Sequence, residues 1–175
     1  MTGSLRLFFA LWPDEITRKA LSKWQSTIPG RKTPPENLHI TLAFLGEQPA
    51  SSVPELSRIL EHVSSDAISL KLDRMGYFSK SRISWAGMKA IPPDLTQLYK
   101  ELVAILAEKS ISFDRKNRFK PHITLARHSS RTETADLNPI IWHANHLVLV
   151  KSCFRQDEKG SHPQYIPVAE RRLGN

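Results

Sequence analysis

The chain has one cysteine, Cys153, among 175 residues. A lone thiol cannot close an internal disulfide, which excludes a disulfide-stapled secreted scaffold and makes the reducing cytoplasm the expected compartment. No run of about 18 apolar residues occurs, so neither a transmembrane helix nor a membrane partner is expected. The first apolar run, Leu7 to Trp12, is too short for a signal-peptide core, and it leads into Pro13-Asp14-Glu15 rather than a small-residue cleavage site. Low-complexity tracts and obvious linkers are lacking too. Acidic residues are in the minority, 17 against 25 Lys and Arg, for a formal net charge of +8. That excess favours a polyanionic partner, nucleic acid or nucleotide, because phosphate binding releases counterions.

What is present suits a soluble globular protein. A hydrophobic fraction of 40% with 24% charged residues can build a core. The length predicts one domain over residues 1–175, or two small lobes sharing a core. Leu5 to Leu11 reads as a buried strand. Pro13-Asp14-Glu15 is a helix start, with acidic residues at the positive end of the dipole, and Ile16, Ala20, Leu21 and Trp24 follow at helical spacing. Pro29-Gly30 ends that helix, and residues 31–37 read as a polar loop. Leu38 to Leu45 is a strand, Gly46 to Ala50 a turn, and Ser52 to His62 an amphipathic helix. Ile68, Leu70 and Leu72 alternate with polar residues as in a half-buried strand, and Arg82 to Met88 is another candidate. Pro92-Pro93-Asp94 opens the longest helix, whose stripe is Leu95, Leu98, Leu102, Ile105 and Leu106. Strands follow at Pro121 to Arg127, His146 to Phe154 and around Tyr165 to Val168. Alternating helices and strands with hairpin-length links point to an α+β fold of two similar lobes rather than a doubly wound parallel sheet.

Each half carries the same tetrapeptide on a strand: His39-Ile40-Thr41-Leu42 and His122-Ile123-Thr124-Leu125. Strand side chains alternate, so His and Thr share one face while Ile and Leu anchor the other in the core. A pseudo-twofold arrangement would set the two strands side by side. One His-x-Thr is a weak signal, since Thr suits strands and a buried His often just hydrogen-bonds; the duplication is far more specific. Two imidazoles flanking a phosphate can serve as general base and general acid for an in-line displacement. The Thr hydroxyls can donate to the non-bridging oxygens as charge builds there. Such a scheme needs no metal. Arg127 follows His122 by five residues, so strict alternation turns it to the opposite face, although a long guanidinium at a strand end can reach a phosphate.

The segments from Asn37 to Glu47 and from Phe119 to Arg127 resemble the two signature motifs of the two-histidine phosphoesterase superfamily, and Arg6 to Leu11 is similar to its first strand. Within that superfamily the chain resembles the bacterial and archaeal RNA 2',3'-cyclic phosphodiesterases, or 2'-5' RNA ligases, over nearly its whole length. The resemblance implies a single bilobal catalytic domain of α+β class, with two antiparallel-rich sheets around a central cleft and helices outside. It implies metal- and cofactor-free hydrolysis of a terminal 2',3'-cyclic phosphate to a 2'-phosphomonoester, with a possible 2'-5' joining reaction. His39 would then be the proton donor and His122 the proton acceptor, Thr41 and Thr124 phosphate ligands, and Arg127 a contact to phosphate or terminal nucleotide. Phe9 would help form the nucleotide pocket, although a strand Phe is more often core.

Other candidates carry less. His143, His146 and Cys153 match no strong zinc spacing. His128 to Arg131 reads as a solvated loop, and His62 and His162 as surface residues. Trp85 and Trp142 read as core or cleft-lining rings. Lys151, Arg171 and Arg172 are either a basic rim or solvated charge. The expected partner is an RNA with a cyclic phosphate end, or a nucleoside cyclic phosphate, acted on by a monomer. The alternatives are a phosphoesterase for a small cyclic phosphate or nucleotide metabolite, and a non-catalytic module that binds RNA ends.

Overall fold

The computed structural model describes residues 3–63, 66–116, 118–132 and 137–174. Strand β1 (Ser4–Leu11) leads to helix α1 (Glu15–Gln25) and a short strand β2 (Arg31–Lys32). Strand β3 (Ile40–Pro49), helix α2 (Val53–His62), β4 (Ile68–Leu72), β5 (Arg74–Phe78) and β6 (Ile83–Gly87) follow. Helix α3 (Pro93–Glu108) precedes β7 (Ile123–Arg127), β8 (Ile140–Ala144), β9 (His146–Asp157) and β10 (Gly160–Arg172).

Local chemistry explains the helices. Asp14 caps α1 by accepting a 2.7 Å hydrogen bond from the Thr17 amide, and Glu15 sits in the first turn. The buried face of α1 is Thr17, Leu21, Trp24 and Gln25. Ile16, expected on that stripe, is instead 81% exposed; the Asp14 cap fixes the phase that turns it outward. Pro93 begins α3, where a missing N–H costs nothing, and Leu95, Leu98, Leu102 and Leu106 form its buried stripe.

The main sheet is antiparallel, in the order β10-β9-β1-β3-β7-β6-β5, with β2 added beside β7; β4 and β8 form a separate pair. The two halves of the main sheet meet at one pairing, Ile40 with Ile123. These are the second residues of the two tetrapeptides, so equivalent positions face each other across a local twofold axis. One face of the sheet packs Leu7, Phe9, Leu11, Ile40, Leu42, Ile123 and Leu125 into a core shared with all three helices and the β4–β8 pair. The other face bears a smaller cluster of Phe8, Ala10, Val148 and Val150, flanked by Trp12 and Tyr165.

Several elements differ from the sequence-based expectation, among them β2, which lies in the segment 31–37 read as a loop. β3 runs through the expected turn to Pro49, and Gly46, at φ 67°, lies opposite Leu7 where the register slips. The glycine therefore serves a bulge, which needs the left-handed backbone a side chain disfavours. β10 is far longer than the piece expected around Tyr165; its Pro163 and Pro167 are tolerated because it is an edge strand. β5 and β8 were not expected as strands.

Candidate active site

Continuing the antiparallel register outward from Ile40–Ile123 sets His39 across from Thr124 and Thr41 across from His122. All four side chains are partly buried on the face away from the main core. The next residues break the alternation. In β3, Thr41 pairs with Ala10 but Ala43 pairs with Phe9, leaving Leu42 as an extra residue. In β7, Thr124 pairs with Trp85 but Ala126 pairs with Ser84, leaving Leu125 as its counterpart. Both copies thus carry a bulge at the same Leu, and Leu42, Ala43, Leu125 and Ala126 are all buried. The slip returns the fifth residue after each His to the histidine face. Arg127 therefore faces the site, contrary to strict alternation, and its mate in the first copy is Phe44; both line the cavity that holds the two histidines.

Each imidazole is held the same way. Nδ1 of His39 donates to the Asn37 carbonyl at 2.7 Å, and Nδ1 of His122 donates to the Lys120 carbonyl at 2.7 Å. The carbonyl two residues upstream thereby fixes the tautomer and leaves Nε2 for chemistry. His39 Nε2 lies 2.9 Å from Thr41 Oγ1.

Aromatic rings wall both histidines. His39 sits against Phe8 (4.9 Å between centroids), Tyr165 (5.2 Å) and the nearly parallel Trp12 (5.8 Å). His122 sits against Phe78 (5.1 Å) and Trp85 (6.2 Å). The Trp85 indole lies flat over two glycines: a Cβ on Gly76 would fall 2.1 Å from its ring, and one on Gly87 2.6 Å. Burial among these rings pushes the His39 pKa down to about 4, against the raising effect of the Asn37 carbonyl, with His122, Arg127 and Arg18 lowering it further. His122 is lowered too, first by burial and then by Arg127, against the Lys120 carbonyl.

The cavity encloses about 860 Å³, and Arg6, Arg31, Lys32, Arg127 and Lys159 line it with no Asp or Glu among the lining residues. Arg31 pairs with Arg127 across β2 and β7. Two imidazoles whose Nε2 atoms face the cavity, that of His39 beside the Thr41 hydroxyl, together with a basic wall can bind a phosphate and move one proton on each side of it.

The sequence-based candidates fall as follows. His39, His122, Thr41, Thr124 and Arg127 come together. Phe9 does not join them: it is 0% exposed in the main core, and its neighbour Phe8 faces the cavity instead. The correction is one step of strand alternation. Trp142 is core, whereas Trp85 stands beside His122. His162 is at the cavity rim, 3.1 Å from Asp157. Ser129, expected in a solvated loop, is buried and bonded to Ser84 (2.8 Å) and the Pro29 carbonyl (2.7 Å). Among the described residues, no three His, Cys, Asp or Glu side chains cluster as a metal site needs. Sequence reading missed Phe8, Trp12, Tyr165 and Phe78, which nothing but three-dimensional contact links to the histidines. The glycines Gly76 and Gly87 inside strands were a usable signal of close approach.

The LigT-like phosphoesterase family matches residues 11–85. The RNA 2',3'-cyclic phosphodiesterase of Escherichia coli is 38% identical over 139 residues, covering 77% of this chain and 78% of that protein. The archaeal RNA 2',3'-cyclic phosphodiesterase of Archaeoglobus fulgidus is 33% identical over 76% of this chain and 78% of its own length. The crystal structure of E. coli LigT in apo form superposes with a TM-score of 0.83 at 30% identity, covering 99% of both chains. The same protein with 3'-AMP gives 0.82 at 31% identity, over 99% of this chain and 100% of that one. With both sequence and architecture shared along nearly all of its length, the chain belongs to the LigT-like phosphoesterases of the two-histidine superfamily.

Proposed function

We propose that this protein is an RNA 2',3'-cyclic phosphodiesterase that opens a terminal 2',3'-cyclic phosphate to a 2'-phosphomonoester, acting as a single catalytic domain, a monomer, in the cytoplasm. The observation that carries the proposal is the matched pair of imidazoles in one basic cavity, each with Nδ1 tied to a backbone carbonyl. In this reading a water oxygen attacks phosphorus and its proton passes to Nε2 of His122. The P–O3' bond breaks, and Nε2–H of His39 delivers a proton to O3'. Thr41 and Thr124 donate to the non-bridging oxygens, and Arg127 forks onto the phosphate. Family resemblance supports giving the acid role to His39; the near-symmetric site accommodates either polarity. Replacing water with a 5'-hydroxyl would run the 2'-5' joining reaction through the same proton transfers.

The lowered pKa values fit substrate-coupled protonation. Both histidines favour the neutral form in the free protein. A bound phosphodiester anion favours imidazolium, so the acid proton arrives with the substrate. The test is to incubate EDTA-treated protein with an oligonucleotide ending in a 2',3'-cyclic phosphate and identify the product end. A 2'-phosphate is expected; a 3'-phosphate overturns the polarity, and an unchanged cyclic end overturns the function.

A further inference from the structure

The cavity extends beyond the phosphate site, along the open face of the sheet towards the β9–β10 hairpin, and that arm carries two aromatic rings the phosphate chemistry does not use. Phe44 is 37% exposed and Phe154 is 68% exposed, yet both line the cavity. Large apolar rings are costly to leave in water, and these are the two exposed phenylalanines of the described residues. The strand registers put them on the histidine face. Phe44 pairs with Phe8, whose ring touches His39; Arg6 pairs with Ser152; and Phe154 lies two residues beyond Ser152, on the same side of β9.

We infer that Phe44, Arg6 and Phe154 form a track for the nucleotides 5' of the cyclic phosphate, so that the preferred substrate is a single-stranded RNA end rather than a lone nucleoside cyclic phosphate. This rests on the phosphodiesterase reading above. Three observations carry it. First, Phe44 occupies in one repeat the place Arg127 holds in the other: the two segments share their bulge, their His and their Thr, and differ in carrying a ring that suits a base in one and a cation that suits phosphate in the other. Second, the Arg6 guanidinium lies over the Phe44 ring, 5.5 Å from its centroid. A cation held on an aromatic face presents ring and charge together, the pairing that single-stranded nucleic acid engages through base and phosphate. Third, the cavity lining offers five Arg and Lys side chains and no carboxylate. Glu47, across from Arg6 in the sheet, is outside that lining and accepts a 2.8 Å hydrogen bond from Ser4.

Spacing sets how many nucleotides are involved. Two strand steps of ~4.8 Å and four residue rises of ~3.4 Å separate Phe44 from Phe154, or roughly 16 Å between their backbones. That is several times the ~3.4 Å step between stacked bases. The two rings therefore address different nucleotides, with the Arg6 guanidinium beside the Phe44 ring to meet the intervening backbone.

The experiment compares the wild type with Phe44→Ala, Phe154→Ala and the double variant. Two substrates are used, a nucleoside 2',3'-cyclic phosphate and a single-stranded pentanucleotide with the same end, and affinity for a labelled pentanucleotide RNA is read by fluorescence anisotropy. Wild-type kcat/KM should be higher for the pentanucleotide. Each ring removed should lower that value by roughly tenfold, mostly through KM, weaken RNA affinity similarly, and change mononucleotide turnover less than about twofold. Equal losses on both substrates would place the rings at the terminal base and overturn the track, as would unchanged pentanucleotide kinetics and affinity. If the wild type turns over neither substrate but its RNA affinity still depends on the rings, the phosphodiesterase reading fails and the track stands.

Discussion

The pH dependence of the rate follows from how the histidines are buried. His39 drops from an ordinary 6.5 to about 4. At ~1.4 kcal/mol per pH unit, that is about 3 kcal/mol in favour of the neutral ring, and at pH 7 only about one free molecule in a thousand carries a proton there. A phosphate anion ~4 Å away is worth about 4 kcal/mol to an imidazolium at an effective dielectric of ~20. That attraction is large enough to offset the burial cost, so the proton enters with the substrate. Because kcat/KM reports the free enzyme and kcat the complex, the two should part company. Above pH 7, kcat/KM should fall about tenfold per pH unit, while the alkaline limb of kcat should lie at least about one pH unit higher. Steady-state kinetics with a nucleoside 2',3'-cyclic phosphate, from about pH 4.5 to 8.5 at constant ionic strength, measures both limbs. The apparent values belong to the coupled pair rather than to one ring. A kcat/KM that stays level between about pH 6 and 8, or limbs that coincide, would refute burial-enforced neutrality.

Other perturbations separate chemistry from scaffold. His39→Ala and His122→Ala should each lower kcat by about 100-fold or more with the thermal midpoint maintained; a loss under about tenfold for either removes that ring from proton transfer. Gly76→Ala drives a methyl into the Trp85 ring, so it should destabilise the fold by about 1–3 kcal/mol in urea titration and lower turnover through the displaced wall of His122; wild-type stability would contradict the packing. Phe9→Ala should cost about 3–5 kcal/mol of stability, as emptying a core site does; a small cost with a large rise in KM would return Phe9 to the pocket.

Why the two histidines were legible while much of their surroundings was not comes down to strand parity. The tetrapeptides declare themselves because a duplicated His-Ile-Thr-Leu meets the period of two with no irregularity inside it, and the structure sets the two Ile residues opposite each other. Past the Thr, period-two reasoning fails at once: the extra Leu in each strand turns Arg127 and Phe44 to the histidine face. No sequence signal marks those bulges, because Leu and Ala suit the core on either register. The same sensitivity explains Phe9 and Phe8, adjacent identical residues whose roles differ only by the face each takes. Helices were easier, since the Pro and Asp starts and Leu stripes fix phase within a turn, although the Asp14 cap still turned Ile16 outward. The aromatic walls were the least legible. Trp12 and Tyr165 are brought to one imidazole by strand order, and Phe78 reaches the other through a hairpin. These rings set the pKa values on which the proposed chemistry depends. The sequence therefore exposed the two imidazoles proposed to move protons and concealed the surroundings that set when they would carry them.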